Sequence, residues 1–257
     1  MGKPIIAYNN IMPDYATIAA TSTATDYFAE SVADWKPYTW WAPSSTGTNN
    51  IDVTFSSSKN ANYVGIFSHN LEETGATVDI QYHTGAAWAN LVTGLSASNS
   101  QVIFRTFGTV SSDQFRIKVN NAALDTYLGV VAIGTYIEIP VGIPAGSEPP
   151  HLAYNDRLVN NTSESGILIG TSVIAESLKT TIKFKFLSPS WVRNTFVPMM
   201  EQIRENPFIF AADYENYPDE AIFCKIDGRL SAPTYDTSIF MSAQLNVIAW
   251  HKQRTWN

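Results

Sequence analysis

Four histidines, one cysteine and two pairs of adjacent carboxylates are the side chains in this sequence best suited to catalysis or metal binding. His69, His83, His151 and His251 include no two at a ligand spacing such as i, i+4, so no zinc-type site is expected. His69 reads as a structural histidine at a strand end. Cys224 follows Ile222 and Phe223 in an apolar run and reads as a buried, inert thiol with no base to activate it. Glu72-Glu73 and Asp219-Glu220 are neighbours in sequence and point apart, whereas a glycosidase needs two carboxylates facing across a cleft. Both pairs read as solvated turn residues. No Gly-x-Ser-x-Gly, Walker or dinucleotide-binding sequence occurs. The expectation is a protein that is not an enzyme and uses no metal and no cofactor.

Aromatic residues are the better candidates for recognition. Tyr38, Trp40 and Trp41 cluster ahead of the first regular strands, and Trp88 follows the turn after His83. An exposed ring stacks on the apolar face of a pyranose while nearby polar groups read its hydroxyls. Tyr38, Trp41, His83 and Trp88 therefore form the candidate ligand-binding set, with one of Trp40 and Trp41 expected to plug a core. Phe208, Phe210, Tyr214, Tyr217, Trp250 and Trp256 form a second set, read as a candidate assembly interface.

Composition narrows the class. Only 15% of the residues are charged and the net charge is −7, which argues against nucleic-acid binding. No run of like charge reads as a membrane patch, and no window has the length of a membrane helix. The first residues lack the apolar stretch of a signal peptide. A single cysteine excludes an intrachain disulfide.

Residues 1 to about 30 read as an irregular lead-in with one short strand at Pro4–Tyr8. From Trp35 to Ile139, short strands recur with polar turns between them, as at Ser56–Asn60. Ile51–Phe55 alternates, Asn62–Phe67 is more continuously apolar, and Thr77–Tyr82, Gln101–Phe107, Gln114–Val119 and Tyr127–Ile139 follow. That pattern predicts a β-sandwich or jelly roll. Pro140–Pro150 carries four prolines and predicts a semi-rigid linker. Domains are thus expected at 1–142 and 151–257, joined through 143–150, with Asn160–Ser163 as a polar loop.

The second half contains the chain's one helix signal. Val192, Phe196, Met199, Met200 and Ile203 share one helical face, Ser188-Pro189 is an N-cap followed by proline, and Asn206-Pro207 closes the segment. A helix near 189–206 is predicted, kinked or starting at Pro198. Strands are predicted at Gly166–Gly170, Thr180–Leu187, Phe208–Ala212, Glu220–Ile226 and Ser242–Trp250, giving one helix packed on an antiparallel barrel or sandwich.

Several of these stretches carry a family resemblance. Trp40-Trp41, Ile51–Phe55, Tyr63–Phe67 running into His69-Asn70-Leu71, Thr77–Tyr82 with Trp88, Arg105 with Phe107, Phe115–Val119 and Leu128–Gly134 resemble, in order and spacing, a discoidin-type, galactose-binding-like jelly roll. The bracketing cysteine pair of its extracellular members is missing. The fold implied is that of coagulation-factor C-type domains and several carbohydrate-binding modules, with ligands at loops on one end. The second half resembles the tube-like barrel of bacteriophage tail proteins, through its strand–helix–strand order, Asn206–Asp213, Tyr217-Pro218 and a last strand ending in Trp250. That resemblance implies a minor tail protein of a virion, assembled in bacterial cytoplasm as a homo-oligomeric ring (hexamer or trimer) below the tail tube. Its seam is expected at Ser188–Tyr214, and its partners are neighbouring tail proteins and host-surface glycans. The rival expectation is a free-standing carbohydrate-binding protein or an accessory module of a glycosidase.

Overall fold

In the computed structural model, which describes residues 2–97 and 102–250, nearly every alternating stretch of the chain finds an antiparallel partner. Strands hold 51% of the described residues and helices 13%, so the class is mainly β. The first half contributes β1 (Ile5–Asn10), β2 (Thr17–Ala20), β3 (Gly47–His69), the single turn α1 (Leu71–Thr74), β4 (Thr77–His83), β5 (Trp88–Leu95), β6 (Ile103–Ala122) and β7 (Leu128–Glu138). A stretch without strands, 139–149, leads to the second half. There the chain forms β8 (Arg157–Thr162), β9 (Leu168–Ala175), β10 (Leu178–Leu187), α2 (Pro189–Trp191), α3 (Val197–Ile203), β11 (Phe208–Ala211), β12 (Ile222–Ile226), β13 (Thr234–Tyr235) and β14 (Met241–Ala249).

Three segments differ from expectation for reasons of pairing. The polar run Ser56–Asn60 does not turn. Lys59, Asn60 and Ala61 pair with Ser112, Ser111 and Val110, so two polar runs carry one ladder around a corner and β3 stays continuous. The irregularity survives as a register shift between Thr54 and Lys59. In the lead-in, Thr17–Ala20 is a strand because Thr54 to Ile51 offer it an open edge. Asn160–Ser163 is likewise not a loop, since Asn160 and Asn161 pair with Thr171 and Gly170 within β8–β9.

The sheet runs β10-β14-β12-β11-β1-β7-β3-β6-β4-β5 without a break, with β13 added on β14 and β2 on β3. Its continuity depends on β1. Ile5, Ile6 and Ala7 face Ala211, Phe210 and Ile209 on one side, and Glu138, Ile137 and Tyr136 on the other. The alternation within β1 sorts its side chains into different cores. Ile6 joins the helix-covered core of the second half. Ile5 and Ala7 join a third cluster containing Tyr63, Phe67, Phe104, Ile209 and Phe223, which seals the joint between the halves. The jelly-roll core proper is built from Ile51, Val53, Val64, Ile66, Phe115, Ile117 and Val131.

The predicted helix is present. Ser188 caps it by accepting the Trp191 N–H on its side chain, and Val192, Phe196, Met199, Met200 and Ile203 are all buried. Between α2 and α3 the turn Val192–Phe196 is π-helical, with the Val197 N–H donating back to the Val192 carbonyl. Pro198 has no N–H to offer the turn before it, and that turn widens. Among the described residues no helix is long and apolar enough to cross a membrane.

Candidate functional site

The lead-in builds a concavity. A one-turn 3-10 helix, Ala29–Ala33, buries Ala29, Val32 and Ala33 on the jelly-roll core, which leaves Phe28, Glu30 and Ser31 facing away from it. Phe28 precedes this turn in extended conformation and its side chain is 60% exposed. Asp34 closes the turn and then fixes the next loop. Its Oδ1 accepts the Lys36 N–H at 2.9 Å and its Oδ2 accepts the Thr39 hydroxyl at 2.7 Å. Trp35 follows with a φ of 62°, a left-handed conformation rare for a bulky residue. That conformation sets its ring parallel to Phe223, 6.1 Å away across the joint. From the other side Pro13 and Tyr15 complete a groove of about 600 Å³.

Three rings, two carboxylates and a hydroxyl thus border one opening. Rings offer a flat apolar surface, and carboxylate oxygens accept hydrogen bonds from hydroxyls. Each Asp34 oxygen already holds one hydrogen-bond donor, and the Lys36 ammonium lies 3.9 Å from Oδ2, yet the carboxylate retains acceptor capacity. Local periodicity gave no hint of this groove. The signal in the sequence was compositional: Tyr27, Phe28 and Trp35 bracket Glu30 and Asp34 within nine residues.

A second aromatic platform lies on the outer face of β4–β6. His83 and Trp88 face each other across the β4–β5 hairpin with ring centroids 5.2 Å apart, edge to face. His83 Nδ1 accepts the Gly85 N–H at 3.2 Å. The Arg116 guanidinium lies 4.0 Å from the centroid of the Trp88 ring and donates to both oxygens of Asp52, at 2.6 and 2.8 Å. The bidentate bond fixes the plane of the guanidinium and raises the Arg116 pKa. One face of Trp88 is therefore occupied by the chain's own cation.

Of the four candidate ligand residues, only His83 and Trp88 meet. Trp41 is wholly buried in the jelly-roll core and its indole N–H donates to the Ser22 carbonyl at 3.0 Å, so it cannot stack on a ligand. It is the core plug, while Trp40 stacks on Tyr27 at 5.9 Å. Tyr38 is 67% exposed. Its loop is tied by Pro37 to Ser68, next to the segment that leads into β4, whereas His83 ends β4 about 20 Å further along.

The candidate assembly residues also separate. Phe208 and Phe210 are fully buried against the helix, and β11 is paired on both edges, by β1 and by β12. A strand with both edges occupied offers no edge for a second subunit to pair with. Tyr214 accepts the Thr106 N–H at 2.9 Å and packs on Phe104, and Trp250 packs on Phe223 and Phe67, so both serve the joint within the chain. Tyr217 is exposed, and Trp256 lies outside the described residues. Cys224 is buried and its thiol pKa is pushed well up by burial. Among the described residues no group of three His, Cys, Asp or Glu is placed to hold a metal ion.

No protein-family model and no curated protein matches the chain. Solved structures do resemble part of it. A family 32 carbohydrate-binding module from C. perfringens in complex with galactose is 15% identical, with a TM-score of 0.42, over 52% of this chain and 99% of that one. A chitosan-binding module from a chitosanase/glucanase of Paenibacillus sp. IK-5 is 18% identical, with a TM-score of 0.39, over 49% of this chain and 99% of that one. A pectin-binding carbohydrate-binding module is 17% identical, with a TM-score of 0.40, over 47% of this chain and 91% of that one.

Proposed function

We propose that this chain is a non-catalytic carbohydrate-binding protein, and that a sugar ring enters the groove framed by Tyr15, Phe28 and Trp35. The observation that carries this reading is the composition of the groove: aromatic faces beside Glu30, Ser31 and Asp34 in one concavity of about 600 Å³. A pyranose has the complementary make-up, C–H groups on its faces and hydroxyls around its rim. Phe28 is the residue to test, because its exposed ring contributes to the groove without supporting the core. Galactose, chitosan oligomers and pectin serve as calorimetric probes, since these are ligands named for the similar structures. At least one probe is expected to bind, with roughly tenfold weaker affinity in Phe28→Ala, equivalent to about 1.4 kcal/mol. Absence of binding by all three, or binding untouched by Phe28→Ala, would overturn the assignment.

A second reading is that of a structural virion protein, one copy in a homo-oligomeric ring (hexamer or trimer) of a bacteriophage tail tip or baseplate beside other tail proteins. It is favoured by the β8–β9 hairpin, which among the described residues pairs with no other strand and exposes Leu158, Ile167, Leu168, Ile169 and Ile174. Large aliphatic side chains standing in solvent on an unpartnered ribbon are the kind of surface that a protein contact covers. Particle images showing a closed ring would support this reading, and a chain that stays monomeric at every concentration would remove it.

A further inference from the structure

We propose that the tip of the β8–β9 hairpin docks on the far end of β10 in a second copy of this chain, producing head-to-tail association. The inference deepens the assembly reading above and is independent of sugar binding. The hairpin leaves the body at Asn155 and Ser177, where Asn155 N–H donates to the Ser177 carbonyl. At its tip Ile167, Leu168 and Ile169 stand in a row, 68%, 60% and 71% exposed. An isolated two-stranded ribbon with aliphatic side chains in water is poorly stable without a surface to cover it.

A complementary surface lies on the same chain. β10 is an outer strand of the large sheet, paired along its length with β14 and bridged on its other edge to Tyr154 at Leu178. Near its end the ladder shifts register between Phe184 and Leu187, and Phe186 adopts a φ of 60°. Phe184 and Leu187 point into the core, whereas Phe186 is turned out and contacts Phe240 at 6.0 Å. Tyr235 and Ile239, on the adjoining β13–β14 hairpin, are exposed beside it. A bulky residue held in a left-handed conformation in order to stand in solvent points to a contact made with something else.

Position and charge identify that partner as another copy. Hairpin base and patch stand at opposite ends of a ten-residue strand, about 30 Å apart. Two different, complementary surfaces on one molecule associate heterologously, as a ring if the rotation closes and as a filament otherwise. The hairpin segment carries Asp156, Glu164 and Glu176 against Arg157, with Glu164 at the tip. Lys179, Lys183 and Lys185 are exposed on the outward side of β10. Lys179 pairs with Asp227, whereas Lys183 and Lys185 make no ion pair among the described residues. Lys185 adjoins Phe186 in sequence, so an acidic aliphatic tip meets a basic aromatic patch.

Light scattering coupled to size exclusion, on the full chain across a concentration series, tests this with two variants. Wild type is expected to form species larger than a monomer as concentration rises. Ile169→Asp and Phe186→Asp should each weaken that association at least tenfold while leaving the circular dichroism spectrum unchanged. Mixing the two variants should restore a dimer, because one supplies an intact patch and the other an intact hairpin. The proposal is overturned by a wild type that stays monomeric, by variants that assemble as wild type does, or by a mixture that stays monomeric. If both variants assemble normally, the ring reading survives on another surface and only the hairpin contact is lost.

Discussion

β11 and β9 are both short and apolar, and they sit in opposite circumstances. β11 is paired on both edges. Its alternate side chains go to two cores, Phe208 and Phe210 to the helix side and Ile209 and Ala211 to the joint. β9 is paired on one edge only, and none of its eight residues is buried. Apolarity states that a strand needs cover. It does not state whether the cover belongs to the same chain, and that is decided by which edges the topology leaves open. Of the ring seam expected at Ser188–Tyr214, the strand part has both edges paired within the chain, and for this reason the hairpin is the contact we propose instead.

The contrast is sharpest under mutation. Phe210→Ala should cost roughly 3–5 kcal/mol in chemical unfolding, since it opens a cavity beside Phe184 in a core. Leu168→Ala, an equally apolar loss in the hairpin, should change monomer stability by less than about 0.5 kcal/mol. Comparable losses at both sites would erase the distinction. A smaller effect is expected at the joint. Asp213 is partly shielded, which by itself would raise its pKa, yet the Asn216 side chain and the Gly2 N–H, each 2.8 Å from Oδ1, hold the carboxyl below its ordinary range. A carboxylate with a depressed folded pKa stabilises the fold above its unfolded pKa, and that contribution is lost as pH falls through the folded value. The melting temperature of wild type should exceed that of Asp213→Asn at neutral pH. The gap should close as pH is taken from about 5 to about 2. A gap independent of pH would show that the carboxylate charge is not what holds Gly2 in place.

Much of the fold was legible because it is local. The alternation of Ile51–Phe55 and the helical face from Val192 to Ile203 depend on neighbours a few residues away, and both hold; the alternation over Thr180–Leu187 holds as far as Lys185 and breaks at Phe186, where the ladder shifts register and the ring turns out. The pairing of β1 was not legible, since its partners lie some 130 and 200 residues downstream and nothing in Ile5–Ala7 names them. In the candidate groove, the rings were visible as residues but their convergence was not. It depends on the left-handed backbone of Trp35 and the loop ties of Asp34, features that carry no period. That Trp41, rather than Trp40, is the core plug was not legible for the opposite reason: an indole N–H can be satisfied by one carbonyl inside a core, and composition does not distinguish that from exposure.

Hydrogen exchange on the full chain, with and without the best-binding of the three saccharide probes, tests the central claim most directly. Slowed exchange confined to amides of residues 27–36 and around Tyr15, with β8–β9 unchanged, is the predicted result. Protection at the hairpin or at the Trp88 platform, with residues 27–36 unchanged, would contradict it.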